Sequence, residues 1–310
     1  MILKAYAKIN LSLDVLGRRP DGYHNISSLM QDIGLFDEVR IEKCTDLHTK
    51  YNSVHCGICG HVVYLCTNVD TIPMDENNLA IKGARAILGS MEKRQLLVPG
   101  DDYTIFIDKH LPVAAGIAGG SGNAAAVILG INSLAGNPFS LSELMEIGVK
   151  VGADLPFSLM MNAKKNQDVL SELRGIELAS STAKVEGIGE VVVPAEPVCR
   201  TVIMANPGIG VSTAAAYQAI DSIQDYADES GMFTNQLEKY TLANYPEAAK
   251  LKSLMQEHLN SDVVLMSGSG PTMVAYYTDA EQARKDYDSI IRGDWLGDSR
   301  VWLTTTGSVS

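Results

Sequence analysis

Residues 111–126 read LPVAAGIAGGSGNAAA, a run of small residues that leads directly into an alanine-rich stretch. Glycines allow the backbone to approach an anion closely, and the free N–H groups in the first turn of a helix point toward that anion. Ser121 adds a hydroxyl that can contact a phosphate or a metal-bound oxygen. The run indicates a phosphate-binding loop or, as the plainer interpretation of this motif alone, a tight loop and cap before a helix over residues 122–134.

Two well-known phosphate-binding patterns do not account for this run. The Walker pattern is absent, because the chain contains no Gly-Lys-Ser/Thr sequence. Gly120, Gly122 and Ala125 fit the dinucleotide fingerprint, but that fingerprint should follow a strand directly and precede an acid that ends a second strand. Here several residues intervene, and Glu143 lies in a helical pattern. A dinucleotide-binding oxidoreductase is therefore a distant alternative.

The sequence on either side of the run predicts an α+β chain. Alternating and β-branched segments predict strands over residues 3–15, 23–33, 37–42, 103–108, 200–207 and 300–306, with a strand pair over 263–277. Capping residues and helical spacing predict helices over residues 75–88, 140–152, 212–221 and 280–291. In the second half this order favours a split βαβ layer with helices on one side of an antiparallel sheet.

Composition and charge limit the classes of function. A chain of 310 residues, 46% of them hydrophobic, is expected to form two globular domains that share a cleft. Its net charge of −12 argues against a general nucleic-acid binder, since Lys and Arg supply most of the affinity for phosphates. There is no signal pattern and no apolar run near the roughly 20 residues that span a bilayer. We therefore expect no membrane partner, and the odd number of cysteines, five, predicts reduced thiols in a cytoplasmic location.

Three segments in a fixed order resemble the motifs of the GHMP kinases. The run at 111–126 is similar to the second motif of that family, Pro-x-x-x-Gly-Leu-Gly-Gly-Gly-Ser-Ser-Asp/Asn-Ala-Ala. Residues 7–11 (AKINL) and 19–24 (RPDGYH) resemble the first motif, and residues 266–272 (MSGSGPT) resemble the third. On these motifs the chain is identified as a member of the GHMP kinase superfamily.

Two further segments, 151–157 (VGADLPF) and 206–213 (NPGIGVST), are similar to the diphosphocytidyl-methylerythritol kinases within that superfamily. The resemblance implies the GHMP kinase fold, with a ribosomal-S5-like, ATP-binding N-terminal domain over 1–197 and a ferredoxin-like C-terminal domain over 198–310. It also implies that ATP, with Mg²⁺, phosphorylates the 2-hydroxyl of 4-diphosphocytidyl-2-C-methyl-D-erythritol, a step of non-mevalonate isoprenoid precursor synthesis. A monomer or a weak homodimer is compatible with this family.

The resemblance also implies roles for individual residues. Asp154 is expected to accept the proton of the attacking hydroxyl, and Lys8 to keep that carboxylate ionised and to counter charge on the phosphoryl group. The implied ATP-binding residues are Asn78, Lys109, Gly116, Gly119, Gly120, Ser121 and Gly122. The implied substrate-binding residues are Asn10, Tyr23, His24, Thr213 and Tyr217, of which the two tyrosines are expected to stack on the cytosine ring. No residue is assigned as a ligand of Mg²⁺.

The resemblance is incomplete in the phosphate loop and after the segment at 151–157. Ala118 replaces a family glycine and Gly122 replaces a serine; positive φ at position 118 would strain the alanine by about 1 kcal/mol. Residues 161–181 form an insertion in which Val169, Leu170 and Leu173 have helical spacing. This spacing predicts a surface helix or flap near the substrate cleft, although a harmless insertion explains the length equally well.

A Cys- and His-containing segment is a candidate metal site. Residues 55–61 (HCGICGH) place Cys56 and Cys59 in a C-x-x-C pattern, and Cys44 or Cys66 could contribute a further ligand. Structural zinc sites usually draw ligands from a second, separated pair, so simple packing of these thiols in a hairpin is the favoured interpretation.

Two other functions remain open. One is a GHMP kinase that acts on another small alcohol, which Tyr23, His24 and the segment at 206–213 disfavour. The other is a non-catalytic nucleotide-binding paralogue, which the presence of both Lys8 and Asp154 disfavours.

Overall fold

The structure, a computed structural model, describes residues 1–44, 54–58, 60–98, 100–223, 226, 231–293 and 295–307, without the side chains of 54–56 and 223. The chain folds into two compact units, each assembled from three separate segments. The first unit contains Met1–Ala7, Phe36–Val113 and Gly119–Ser181. The second unit contains Lys8–Leu35, Ala114–Ala118 and Thr182–Ser310. The glycine-rich run at 111–126 therefore supplies residues to both units.

Groups of consecutive strands and groups of consecutive helices follow one another along the chain. The strands are β1 (Ile2–Arg18), β2 (His24–Cys44), β3 (Val54–Ile58), β4 (His61–Thr67), β5 (Asp102–Asp108), β6 (Thr182–Gly187), β7 (Val191–Pro194), β8 (Arg200–Asn206), β9 (Thr234–Asn235), β10 (Val263–Met266), β11 (Met273–Tyr277) and β12 (Arg300–Thr306). The helices are α1 (Leu79–Lys93), α2 (Gly119–Leu134), α3 (Leu141–Gly148), α4 (Leu155–Lys165), α5 (Thr213–Ile223), α6 (Glu238–Asn244), α7 (Pro246–His258) and α8 (Ala280–Gly293). None of the helices in these described ranges is long and apolar enough to cross a bilayer.

The first unit is a mixed sheet covered by helices. β5 pairs antiparallel with the second half of β2 and parallel with β4, and β4 pairs antiparallel with β3. α2 packs against α1 and α4, and its alanines and branched residues are buried on almost every side. Because an all-round apolar helix has to lie inside a core, the alanine-rich stretch predicted at 122–134 is confirmed as a buried helix. The predicted strand at 103–108 and the Ser140-capped helix are also confirmed.

The second unit contains an antiparallel sheet in the order β10-β11-β8-β12. All three neighbouring pairs are antiparallel, and Thr306 of β12 also pairs with Ile33 of β2. α7 and α8 pack on this sheet. The antiparallel sheet predicted for the second half of the chain is therefore confirmed.

The prediction of separate strands over 23–33 and 37–42 is wrong, because β2 runs without a break from His24 to Cys44. Its two halves pair with different partners, residues 26–31 with β6 and residues 38–44 with β5. Gly34, at the expected break, instead allows a close approach to β12: a Cβ there would lie 2.6 Å from Oγ1 of Thr304.

The prediction of a surface helix within 161–181 is also wrong. Residues 161–165 complete α4, and the chain then forms turns before a single 3-10 turn at Ile176–Leu178. Leu170 and Leu173 are each 2% exposed and belong to the core of the first unit, whereas Val169 is exposed. The turns that follow α4 begin at Asn166. Its side chain accepts a hydrogen bond from the backbone N–H of Lys4 and donates one to the carbonyl oxygen of Lys4. Long-range packing of two leucines, and not helical periodicity, explains the spacing of its apolar residues.

Candidate active site

The glycine-rich loop has the irregular backbone that its composition predicts. Gly116 has φ of 73°, and the alanines at 114 and 118 have φ of 53° and 55°. These values lie in the left-handed region, which costs an L-residue other than glycine roughly 1–2 kcal/mol. The φ of Ala118 is therefore positive, which is the conformation that strains an alanine at this position. α2 then starts at Gly119, so the free N–H groups of its first turn follow the loop directly.

The segment at 266–272, which resembles the third motif of the family, contacts the glycine-rich loop at Gly116. The hydroxyl of Ser267 donates to the carbonyl oxygen of Gly116 at 3.0 Å. A Cβ on Gly116 would collide with the carbonyl oxygen of Ser267, and a Cβ on Gly268 would lie 2.7 Å from that of Gly116. Asn235 fixes the motif in turn, because its amide donates to the carbonyls of Met266 and Gly268 at 2.7 Å each. Both glycines are needed for this close backbone contact.

Asp37 and Lys109 form a buried ion pair at the entrance to the loop. Nζ of Lys109 lies 2.8 Å from Oδ2 of Asp37, and the two side chains are 4% and 0% exposed. Oδ1 of Asp37 accepts from the backbone N–H groups of His110 and Leu111 at 2.7 and 2.8 Å, and Lys109 also donates to the carbonyl of Leu111. A Cβ on Gly119 would lie 3.4 Å from Nζ of Lys109. The ammonium group of Lys109 therefore binds groups at the start of the loop and stabilises its conformation.

The first turn of α2 packs tightly against its surroundings. A Cβ on Gly120 would lie 3.0 Å from the side chain of Leu79, and a Cβ on Gly122 would lie 2.8 Å from the carbonyl oxygen of Tyr6. Gly122, which departs from the family serine, is therefore the residue that fits against the backbone of β1. Ser121 is partly exposed.

Asn78 has a structural task in this unit. Its side chain accepts from the N–H of Ala80 at 2.9 Å, as the N-cap of α1, and donates to the carbonyl of Pro73 at 2.7 Å. The residue is 6% exposed. It places Leu79, the first residue of α1, beside Gly120 of the loop.

Asp154 lies immediately before α4 with helical φ and ψ of −78° and −11°, and Pro156 is at the start of the helix. Within the described first turn of α4, the carboxylate makes no capping hydrogen bond. Asp154 therefore does not act as a side-chain cap of this helix.

Lys8 and Asn10 lie side by side on β1. Nζ of Lys8 donates to Oδ1 of Asn10 at 2.8 Å, and the backbone N–H of Lys8 donates to the carbonyl of Ile117 in the loop at 3.1 Å. The two residues are 3% and 1% exposed. A buried lysine normally requires polar partners, and Asn10 is one of them.

His24 and Tyr217 are brought together in the second unit. Nε2 of His24 lies 2.7 Å from Oδ1 of Asp221, and its ring is stacked on Tyr217 with centroids 4.8 Å apart. Thr213 shares a hydrogen bond of 2.7 Å with the hydroxyl of Ser269 in the third motif. Tyr23 is 59% exposed, so its ring is accessible for stacking.

The carboxylate of Asp221 is held in its charged form. Burial raises its pKa, whereas hydrogen bonds from His24 and Tyr226 and the charge of Arg18 lower it, and the resulting pKa is below the ordinary value. The charged acceptor favours a proton on Nε2 of His24 and leaves Nδ1 as the other ring position for recognition.

The candidate metal site at 55–61 lies mostly outside the described residues, because Cys59 and the side chains of His55 and Cys56 are not described. The described part of the chain contains no group of three or more His, Cys, Asp or Glu residues that could hold a metal ion. Nδ1 of His61 lies 2.7 Å from the carbonyl oxygen of Asp101, and Sγ of Cys44 lies 2.8 Å from Oγ1 of Thr104.

Three residues that the sequence analysis did not select are central to the polar contacts of this site: Asp37, Asp221 and Ser28, whose hydroxyl oxygen accepts from Nδ2 of Asn10 at 2.8 Å. Asp37 and Ser28 belong to strand patterns, and Asp221 belongs to a helix pattern, so each is read locally as an ordinary polar position. Their partners are far away in sequence, up to 197 residues for Asp221 and His24. An acid at the first position of a predicted strand, as at Asp37, is the one local signal available.

Comparison with known proteins defines the class. The family model described as "GHMP kinases N terminal domain" matches residues 78–162, and the model "GHMP kinases C terminal" matches residues 213–293. The chain belongs to the GHMP kinase family. It is 36% identical to a 4-diphosphocytidyl-2-C-methyl-D-erythritol kinase from Alkaliphilus oremlandii, over 93% of this chain and 91% of that protein. It is 37% identical to a protein of the same name from Geobacter metallireducens, over 96% of each.

Solved structures share the fold. A crystal structure of 4-(cytidine 5'-diphospho)-2C-methyl-D-erythritol kinase aligns over 100% of both chains with a TM-score of 0.72 and 24% identity. A homoserine kinase from Cytophaga hutchinsonii aligns over 98% of this chain and 94% of that one, with a TM-score of 0.59 and 16% identity. The predicted GHMP kinase fold is therefore confirmed.

Proposed function

We propose that this chain is an ATP-dependent 4-diphosphocytidyl-2-C-methyl-D-erythritol kinase, which phosphorylates the 2-hydroxyl of its substrate in isoprenoid precursor synthesis. The observation that carries the proposal is similarity along almost the whole chain to several proteins of that name, at 36% identity over 93% of the chain in one case. The similarity includes both GHMP domains. We assign this chemistry to residues that include Lys8, His24 and the glycine-rich loop.

In the proposed reaction, Asp154 accepts the proton of the 2-hydroxyl of the substrate. The oxygen of that hydroxyl forms a bond to the γ-phosphorus of ATP. The bond between that phosphorus and the β,γ-bridging oxygen breaks, and ADP leaves. Lys8 counters the negative charge that spreads over the transferred phosphoryl group. Protein catalysis of phosphoryl transfer consists mainly of positioning and charge stabilisation, which a buried lysine and a carboxylate supply.

The proposed ATP site is the glycine-rich loop and the start of α2. Gly116, Gly119, Gly120, Ser121 and Gly122 offer backbone N–H groups or a hydroxyl to the phosphates. Lys109 and Asn78 support this site through the buried contacts that hold Gly119 and Leu79. In this proposal Mg²⁺ enters as the magnesium complex of ATP, held mainly by the phosphates of the nucleotide.

The proposed substrate site uses Asn10, Tyr23, His24, Thr213 and Tyr217. The exposed ring of Tyr23 suits stacking on a pyrimidine, and the imidazole of His24 suits hydrogen bonding to its edge. Tyr217 is stacked on His24, so it supports the imidazole as well as any base beside it.

The division of the chain is part of the proposal: an ATP-binding domain over 1–197 and a second GHMP domain over 198–310. We further propose a cytoplasmic enzyme that acts as a monomer or weak homodimer, with a small molecule as its partner. Size-exclusion chromatography with light scattering measures the oligomeric state directly.

The test is substrate-dependent ATP consumption by the purified protein with Mg²⁺ and 4-diphosphocytidyl-2-C-methyl-D-erythritol. Asp154→Asn should lower kcat by about 10²–10⁴-fold, the usual contribution of a positioned acid or base. Asp168→Asn, the same change at an exposed aspartate of the same unit, is the matched control and should leave kcat unchanged. ATP binding without turnover would contradict the proposal and indicate another alcohol or a non-catalytic paralogue.

A further inference from the structure

A chain of hydrogen bonds runs across β1 and β2 from Lys8 to the backbone of Ser12. Nζ of Lys8 donates to Oδ1 of Asn10 at 2.8 Å, and Nδ2 of Asn10 donates to Oγ of Ser28 at 2.8 Å. The hydroxyl of Ser28 then donates to the carbonyl oxygen of Ser12 at 2.6 Å. All four residues belong to the second unit.

Only one direction of this chain satisfies every member. The carbonyl oxygen of Ser12 can only accept, so it takes the single hydroxyl hydrogen of Ser28. Oγ of Ser28 is then left as an acceptor, and it has to face the NH₂ group of Asn10. The oxygen of the Asn10 amide consequently faces Lys8, whose ammonium group can only donate. With the amide turned over, its NH₂ group would point at the ammonium and its oxygen would require a second hydroxyl hydrogen from Ser28.

Burial makes this direction energetically important. Lys8, Asn10 and Ser28 are 3%, 1% and 1% exposed, so bulk water cannot readily replace a missing partner. Leaving a buried donor or acceptor unsatisfied costs about 1–3 kcal/mol, and more beside a charge. The hydroxyl of Ser28 therefore selects one of the two orientations of the Asn10 amide.

We propose that Ser28 is a positioning residue for phosphoryl transfer: its hydroxyl fixes the amide of Asn10, and the amide in turn holds the ammonium group of Lys8 at the reacting phosphoryl group. The inference rests on the proposed function, because Lys8 and Asn10 have their roles from it. The fixed amide keeps its second N–H, the one not bonded to Ser28, for an oxygen of the substrate. Ser28 acts through Asn10.

The experiment compares Ser28→Ala with Ser28→Thr in steady-state assays that vary ATP and 4-diphosphocytidyl-2-C-methyl-D-erythritol separately. Ser28→Ala removes the acceptor for Nδ2 of Asn10, whereas Ser28→Thr retains a hydroxyl. Ser158→Ala is the matched control, because Ser158 is also fully buried and its hydroxyl has no hydrogen-bond partner among the residues that the structure describes.

We expect Ser28→Ala to lower kcat by up to about a hundredfold while both KM values change little, since a displaced charge affects the transition state more than binding. Ser28→Thr should recover most of kcat, and Ser158→Ala should match the wild type. A merely structural role predicts a lower melting temperature with wild-type kcat in the folded protein, and that result would overturn the proposal.

A second readout does not depend on turnover. The side-chain NH₂ group of Asn10, assigned by its loss in Asn10→Asp, is followed by ¹H–¹⁵N NMR hydrogen exchange in the wild type and in Ser28→Ala. Faster exchange in the variant supports the hydrogen-bonded chain even if the wild type does not phosphorylate this substrate, whereas equal exchange overturns it. If Ser28→Ala does not fold, Ser28→Cys, with a similar shape and a weak hydrogen-bonding group, replaces it in both measurements.

Discussion

Changing Asp37 to asparagine tests how the phosphate loop is held. The substitution keeps the size of the side chain and replaces one carboxylate oxygen by NH₂. Oδ2 of Asp37 lies 2.8 Å from Nζ of Lys109, and Oδ1 accepts two backbone N–H groups. Every partner of Asp37 in these contacts is a donor, so either orientation of the introduced amide places its NH₂ group against another donor.

The expected loss is large because the pair is buried. Side-chain exposures of 0% for Asp37 and 4% for Lys109 mean that water cannot take over the charge of the lysine. Removing one partner of a buried ion pair typically lowers the free energy of unfolding by about 3–5 kcal/mol. Since one oxygen remains for at least one backbone donor, we expect Asp37→Asn to lie near the lower end of this range.

Urea unfolding of the wild type, Asp37→Asn, Lys109→Met and the double variant measures the interaction as a cycle. Met fills the space of the lysine stem without its charge, so the double variant should be more stable than Asp37→Asn alone by about 1–2 kcal/mol or more. The KM for ATP should rise in Asp37→Asn, because a displaced Lys109 shifts the start of α2 at Gly119.

Each of three results would refute a part of this reasoning. A loss below about 1 kcal/mol in Asp37→Asn would show that the pair behaves like an exposed salt bridge. Additive effects in the cycle would show that Asp37 and Lys109 contribute independently. An unchanged KM for ATP in a clearly destabilised variant would separate the ion pair from the nucleotide site.

The loop and the capping box supply the remaining predictions. Ala118→Gly should raise the free energy of unfolding by about 0.5–1 kcal/mol in urea titrations, because φ is 55° at that residue. The control Ala126→Gly, inside α2, should lower the free energy of unfolding by about 1 kcal/mol. Equal effects of the two substitutions would contradict strain at Ala118. Hydrogen bonds from Ser140 and Arg94 lower the pKa of Glu143 from 4.5 to about 2. The stability this carboxylate supplies is present above about pH 4.5 and is lost as the pH falls toward 2. Glu143→Gln should therefore be less stable than the wild type at neutral pH, with the difference shrinking in acid; a difference independent of pH would count against this explanation.

The local sequence was sufficient for features whose causes lie within a few residues. Glycines and alanines at 114–126 predicted an irregular loop and a helix, and the structure has α2 from Gly119 to Leu134. Ser140 predicted a helix start, and the capping box with Glu143 is present. The resemblance to the GHMP kinases rested on three short motifs in a fixed order, each of them contiguous in the sequence.

Contacts between residues far apart in sequence required the tertiary structure. Gly34 resembled a strand break, yet β2 continues through it because each half of the strand has its own partner. Leu170 and Leu173 had helical spacing, yet they reach the core from turns.

The same division applies to the candidate site. The resemblance to the GHMP kinases selected Lys8, Asn10 and Lys109, and it rests on the sequence alone. The sequence could not show that the Ser28 hydroxyl accepts from the amide of Asn10 or that Asp37 pairs with Lys109. These partners are 18 and 72 residues apart in the chain. A buried polar side chain is defined by the partners that replace its water, and only the folded chain brings those partners within hydrogen-bonding distance.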